Sequence, residues 1–168
     1  MLLERKYEIS KVRQGGVSDF LEDEIRRCFG GVKRGEKSLG DFYLGDRTAV
    51  NIKSMDIGRK FHMPNLVSAK KAYDFLSEHE NFLNFYFVMY RRDGDSIEIV
   101  DNFMKSIEEL AGLAIRAQGK GVIQLNGLNF RSKVSRDVWL QELREMMRVY
   151  LLKEEAKIAK SRIYFELN

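Results

Sequence analysis

The stretch that decides the fold reads LGDFYLGDRTAVNIKSMD and covers residues 39–56. Two short apolar runs flank the triplet Gly45–Arg47, a composition typical of a tight hairpin turn. Because side chains alternate between the two faces of a strand, Asn51 and Lys53 share one face, while their apolar neighbours point into a core. The stretch therefore predicts a β-hairpin that carries polar groups on one face of its second strand.

Three side chains of this hairpin are predicted to converge. Asp41 opens the first strand, close to the point where the second strand ends across the hairpin. Asp41, Asn51 and Lys53 should therefore meet at one edge of a sheet. An acid, a polar oxygen ligand and a lysine in this arrangement suit a divalent cation next to a phosphate, with the lysine as the cationic partner.

Composition limits the classes of protein that the chain can belong to. Its 168 residues, 44% apolar and 32% charged, predict one soluble domain with a single core. A net charge of +4 and a pI of about 9.1 are compatible with a nucleic-acid partner without requiring one. The single cysteine excludes an internal disulfide, and with two histidines a structural zinc site is nearly excluded. No stretch reaches the length of a membrane span and residues 1–13 lack a signal-peptide core, so we expect a cytoplasmic protein without membrane contact.

Apolar periodicity predicts an α/β protein with a mixed central sheet flanked by helices. Helices are predicted at residues 17–29, 65–77, 106–116 and 135–160, and strands, besides the hairpin, at 82–91, 96–101, 122–125 and 163–165. The aromatic run at 82–91 is interpreted as a central strand buried on both faces.

Asp41, followed ten positions later by Asn51-Ile52-Lys53 on an apolar strand, resembles the PD-(D/E)xK nuclease superfamily, which includes restriction endonucleases and Holliday-junction resolvases. The resemblance covers roughly residues 17–89. It implies a restriction-endonuclease-like fold and Mg²⁺-dependent hydrolysis of phosphodiester bonds in DNA. Asp41 would be the main metal ligand, and Lys53 would orient or help to deprotonate the attacking water and stabilise the developing charge.

The chain departs from the family pattern at two positions. Asn51 stands where the family has its second acid, and Gly40 replaces the proline that usually precedes the first acid. Asn51 would then contribute a neutral oxygen ligand. Glu24, at the centre of the apolar arc of the helix at 17–29, matches the family's helix acid and would replace the missing negative charge; a glutamate that turns out to solvent is the alternative.

Basic and amide side chains in several loops and one helix are candidates for DNA contacts. They are Lys33, Arg34, Lys70, Gln118, Lys120, Asn126, Arg131 and Lys133. Lysine and arginine bind phosphates, and arginine, glutamine and asparagine hydrogen-bond base edges. Ordinary solvated loops and helix faces have the same composition.

These expectations combine into one functional hypothesis: a single nuclease-like domain over 1–168, with a catalytic half at about 17–90 and a DNA-reading and dimerisation half at about 91–168. Within the resemblance, a small chain of this kind is most like a type II restriction endonuclease, a homodimer that cuts a specific short sequence of double-stranded DNA. Two alternatives stay open. One is a Holliday-junction resolvase-like nuclease, and the other is a non-catalytic DNA-binding relative, because Asn51 replaces the second acid.

Overall fold

A computed structural model describes residues 3, 6–8, 16–35, 38–59, 64–116 and 121–166 of the chain; the side chains of 163–166 are not part of the description. The strands are β1 (Lys6–Glu8), β2 (Phe42–Leu44), β3 (Thr48–Asp56), β4 (Asn65–Ser68), β5 (Phe82–Asp93), β6 (Ser96–Ser106), β7 (Leu113–Arg116) and β8 (Val122–Leu125). The helices are α1 (Gly16–Phe29), α2 (Ala69–Leu76) and α3 (Arg136–Glu166), with a 3₁₀ turn at Ile107–Glu109.

A five-stranded mixed sheet forms the centre, in the order β1-β6-β5-β3-β2. Only β3 and β5 run parallel, and the other neighbours are antiparallel. This arrangement confirms the predicted α/β class with a mixed sheet. A second, antiparallel sheet in the order β4-β8-β7 was not predicted from the sequence.

The central sheet separates two apolar cores. On one face, α1 packs through Val17, Leu21 and Ile25 against residues such as Val50 and Ile52 of β3. The other face packs against the second sheet, α2 and α3. Each face of the central strand therefore contacts a different core, as expected for a strand buried on both faces.

Three predicted elements are corrected by the structure. The helix expected at 106–116 is replaced by a 3₁₀ turn at Ile107–Glu109 and by strand β7. The helix expected at 65–77 begins only after Ser68, because residues 65–68 form β4 and pair with β8. The last strand, expected at 163–165, is part of the backbone of α3. None of the helices in the described part of the chain is long and apolar enough to cross a membrane.

Candidate active site

The hairpin predicted at 39–56 is present and sets the position of Asp41. Its strands pair antiparallel with Phe42 opposite Val50, and the turn at 45–47 includes Gly45 at a φ of +63°, a conformation that favours glycine. Because β2 begins at Phe42 and β3 runs on to Asp56, Asp41 lies where β2 leaves the edge of β3 uncovered.

Asp41 is fixed to β3 by both its backbone and its side chain. Its amide donates a hydrogen bond of 2.9 Å to the Val50 carbonyl, and its Oδ2 accepts a bond of 2.6 Å from the Ile52 amide. The carboxylate therefore accepts the hydrogen bond of the Ile52 amide, which lies on the edge of β3 beyond the end of β2. One side of the carboxylate is held by this bond, so its position relative to β3 is defined.

Gly40 permits the close approach that brings Asp41 to β3. A Cβ atom at position 40 would lie 2.9 Å from the Phe42 carbonyl oxygen and 3.0 Å from both the amide nitrogen and the carbonyl oxygen of Val50. Backbone atoms cannot yield to such a contact as a flexible side chain does. Any larger residue before the acid, a proline included, would therefore push the chain away from β3.

Lys53 follows Asn51 by two residues and shares its face of β3 with Ala49 and Met55. Its side chain is partly buried, and burial lowers its pKa from the ordinary lysine value, while the negative charges of Asp41 and Glu22 oppose that shift. Lys53 therefore lies within the electrostatic field of both carboxylates. That Asp41 and Lys53 act together in one site stays a prediction of the hairpin pattern.

Glu22 of α1 belongs to the same group of charges. Burial, followed by repulsion from Asp41 and Asp19, raises the pKa of Glu22 to about 6, while Lys33 and Lys53 lower it. The side-chain oxygens of Ser18 and Ser54 are 2.7 Å apart, which fixes this side of α1 to β3. Glu22 lies one helical turn after Ser18 and therefore on the same side of α1, the side that faces β3.

Glu24, the helix acid expected from the sequence, has a different environment. Its Oε1 is 2.5 Å from Arg27 in an ion pair on the same helix. The buried stripe of α1 consists of Val17, Leu21 and Ile25, whereas Cys28 is exposed. At about 100° per residue, Glu22 and Glu24 flank opposite margins of this stripe. The structure brings Glu22, and not Glu24, into the field of Asp41 and Lys53.

Sequence reasoning missed Glu22 because, at about 100° per residue, this residue falls outside the apolar arc of α1, whereas Glu24 falls within it. Relative to the buried stripe of Val17, Leu21 and Ile25, Glu22 lies about 60° beyond one margin and Glu24 about 20° beyond the other. The helical periodicity of α1 therefore leaves two candidates for the helix acid, Glu22 and Glu24. The choice between them depends on which margin of α1 faces the exposed edge of β3.

Asn51 is buried and has an unmatched oxygen. Its Nδ2 donates a hydrogen bond of 3.3 Å to the Leu39 carbonyl, which orients the amide, while its Oδ1 is buried without a hydrogen-bond partner in the described part of the chain. An unpaired buried carbonyl oxygen is costly unless something binds it. Asn51 Oδ1 is thus available to coordinate a cation or to accept a hydrogen bond from a ligand.

Carboxylate and amide oxygens are the kinds of ligand that a hard divalent cation prefers. The negative charge of Asp41 contributes to the raised pKa of Glu22, and a bound cation would relieve the repulsion between the two carboxylates. Asn51 supplies a neutral oxygen without a competing hydrogen bond. The described residues contain no group of three His, Cys, Asp or Glu side chains, so such a site would combine two acids with one amide.

Two candidate DNA contacts lie in the loop before β2. Lys33 is exposed, with its Nζ 4.0 Å from Asp23, and its charge reaches Glu22. Arg34 is held away from that group: it pairs with Asp46 at 2.7 Å, and its guanidinium lies 4.3 Å from the centroid of the Tyr43 ring. The structure therefore places Lys33, but not Arg34, beside the acidic site.

The other candidates are distributed over the second half of the fold. Lys70 forms an ion pair with Asp74 on α2, and Asn126 Oδ1 accepts a hydrogen bond of 3.4 Å from Arg116. Arg131 is committed to a two-pronged ion pair with Glu142. Lys133 is exposed, whereas Gln118 and Lys120 lie outside the described residues. Of the described candidates, Lys70, Asn126, Arg131 and Lys133 do not take part in the electrostatic group around Asp41.

Comparisons with known proteins give distant likenesses among solved structures. No family model matches the chain, and no curated protein matches it. Among solved structures it is similar to the NlaIV restriction endonuclease, with a TM-score of 0.46 and 12% identity over 71% of this chain and 55% of that chain. The chain therefore spans about half the length of that structure. At this TM-score and identity, the likeness carries no argument about the site or its chemistry.

Proposed function

We propose that the chain is a nuclease that hydrolyses phosphodiester bonds of double-stranded DNA with Mg²⁺ at the edge of β3. The observation that carries this proposal is the common electrostatic field of Asp41, Glu22 and Lys53, at a strand edge where Asn51 Oδ1 is unmatched. Perturbed titratable groups clustered with an unpaired polar atom are typical of functional sites.

Asp41, Glu22 and Asn51 would hold the ion through two carboxylates and one amide oxygen. The chemistry that Mg²⁺ supplies when bound is stabilisation of the negative charge that develops on the phosphate. Glu22 takes the place that the sequence pattern assigned to Glu24. A weak neutral ligand at position 51 is thereby compensated by a second acid from α1.

Lys53 contributes through its Nζ. As an ammonium group beside the phosphate, it stabilises the charge that develops during attack and orients the water. Burial lowers its pKa, which makes loss of a proton from Nζ easier than for a lysine in solvent. The hydrogen bond from the Ile52 amide keeps the Asp41 carboxylate fixed relative to this strand.

The finer proposal is a type II restriction enzyme that acts as a homodimer on a short sequence. The exposed apolar side chains of α3, Leu151, Leu152 and Ile158, support a second subunit. Leu140 of the same helix is buried within the subunit's own core and is therefore not part of this surface. Sedimentation of the purified chain, with an expected mass of twice 19.6 kDa, tests the dimer.

A plasmid assay with and without Mg²⁺ tests the activity. Discrete fragments indicate a site-specific enzyme, and cutting of only branched DNA indicates a resolvase. Binding without cutting indicates the non-catalytic relative, which the amide at position 51 favours.

The variants Asp41→Asn and Lys53→Gln should abolish cleavage, whereas the matched surface variant Arg148→Gln, at an exposed ion pair of α3, should cleave like the parent. Cleavage that survives both site variants would contradict the assignment.

A further inference from the structure

A polar groove lies between the three-stranded sheet and the second half of α3, and none of the sequence patterns pointed to it. Its volume is about 430 Å³, within the range of roughly 300–1,000 Å³ typical of ligand sites. Six polar side chains that line it can donate hydrogen bonds: Asn65, Arg116, Gln124, Tyr150, Lys153 and Lys157.

The helix wall of the groove consists of Tyr150, Lys153, Glu154 and Lys157. These residues follow the i, i+3, i+4, i+7 spacing of a single helix face. On a helix that packs against a sheet, this face is normally apolar. Here it carries two lysines and one glutamate, and Lys157 is 2.6 Å from Glu154, so the wall keeps a net positive charge.

The sheet wall adds an amide pair and a third cation. Asn65 of β4 and Gln124 of β8 are register partners, and Gln124 Nε2 donates a hydrogen bond of 3.4 Å to Asn65 Oδ1. Arg116 stands at the end of β7. The groove therefore combines three cations with a single carboxylate, Glu154.

We propose that this groove binds the phosphate backbone of duplex DNA, away from the site of cleavage. Arginine, lysine, asparagine, glutamine and tyrosine are the side chains that donate to phosphate oxygens in protein–DNA complexes, and this groove presents all five types. This inference rests on the proposed function, because it takes DNA as the partner. It adds a contact surface that positions the duplex and carries no base information.

The test is binding of a fluorescein-labelled random-sequence duplex to the full chain in EDTA, where no cleavage occurs, over a series of salt concentrations. The variant Lys153→Gln/Lys157→Gln should weaken binding roughly tenfold and reduce the dependence of log Kd on log salt by about two, because two phosphate contacts are lost. The matched control Lys160→Gln/Arg162→Gln removes the same charge from the same helix outside the groove and should change neither quantity comparably.

A neutral variant separates specific contacts from general charge. Asn65→Ala/Gln124→Ala should weaken binding about two- to fivefold without changing the salt dependence, because amides release no counterions. If the lysine variant and its control lose affinity equally, or if both groove variants bind like the parent, the groove proposal is wrong. If binding depends on the groove residues but no DNA is cleaved in Mg²⁺, the nuclease proposal is wrong and the groove remains a DNA-binding surface. If the parent chain does not bind the duplex, the groove proposal is wrong.

Discussion

The Ile52 amide donates a hydrogen bond of 2.6 Å to Asp41 Oδ2, across the point where β2 leaves the edge of β3. One carboxylate thus has two tasks: it completes the hydrogen bonding of a strand edge, and it provides an anion for the candidate metal site. The two tasks can be separated, because an amide side chain retains an acceptor oxygen but loses the negative charge.

Replacing Asp41 by asparagine and by alanine should therefore give different results. We expect both variants to lose cleavage, by about a hundredfold or more, because both remove a ligand and its charge. Only Asp41→Ala leaves the Ile52 amide without its acceptor, at a cost of about 1–3 kcal/mol. Thermal unfolding followed by circular dichroism should show the lower midpoint only for the alanine variant. An asparagine variant that cleaves normally would contradict the role of Asp41.

Gly40→Ala should destabilise the hairpin and displace Asp41. The added Cβ would lie 2.9–3.0 Å from backbone atoms of Phe42 and Val50, and we expect a loss of about 1–3 kcal/mol together with reduced cleavage. Gly35→Ala is the matched control, since a Cβ there meets no atom within 4 Å. Denaturation in urea measures both changes. Equal stability of the two variants would show that position 40 tolerates a side chain.

Glu22→Gln should make the protein more stable at neutral pH. The pKa of Glu22 is raised from 4.5 to about 6, so between these values the folded chain binds more protons than the unfolded chain and stability falls as pH rises. Above pH 6 the variant should gain about 1 kcal/mol, roughly half of what 1.4 kcal/mol per pKa unit gives, because solvent screens a partly exposed carboxylate. At pH 4 and below, the difference should vanish.

Glu24→Gln is the control for this prediction, because its carboxylate pairs with Arg27 and should not produce the same gain. Mg²⁺ provides a second measurement. Added at neutral pH, it should raise the unfolding temperature of the parent and of Glu24→Gln more than that of Glu22→Gln. The opposite ranking would indicate that Glu24, as the sequence pattern suggested, is the metal ligand on α1.

Arg136→Met should cause one of the larger losses of stability among single changes in this chain. Arg136 Nε is 2.7 Å from Glu108, whose side chain is only 3% exposed, and a guanidinium nitrogen also donates to the Leu76 carbonyl. Removing the cation leaves a buried carboxylate unpaired, at a cost of about 3–5 kcal/mol. Arg148→Gln, at an exposed pair with Glu145, should cost less than about 1 kcal/mol in the same urea titration.

Local sequence signals predicted the elements that depend on short-range contacts. The hairpin at 39–56 has its turn at Gly45, and α1 ends at Phe29 directly before two glycines, as expected. The aromatic run that begins at Phe82 is the central strand β5. In each case the apolar pattern agrees with the turn or cap beside it, so tertiary contacts had no reason to override the local preference.

The residues at 106–116 show the opposite case. Glu109 accepts a hydrogen bond of 2.9 Å from the Ser106 amide, as in the start of a helix, but the turn ends there. Leu113 pairs with Leu125 in the second sheet, and Gly112 has a φ of +67°. Pairing with β8, a partner distant in sequence, therefore replaced a helix that the local pattern favoured.

The sequence by itself determined the hairpin and the mixed α/β class, because strand alternation, a tight turn and apolar periodicity are signals that act over short stretches of the chain. Only the tertiary structure decided between Glu22 and Glu24, since that choice depends on how α1 is rotated over the edge of β3. The tertiary structure also forms the polar groove, because Arg116, Gln124 and Lys153 are brought together by strand pairing and by packing of α3 on the second sheet. Long-range geometry of this kind leaves no periodic signal in the chain.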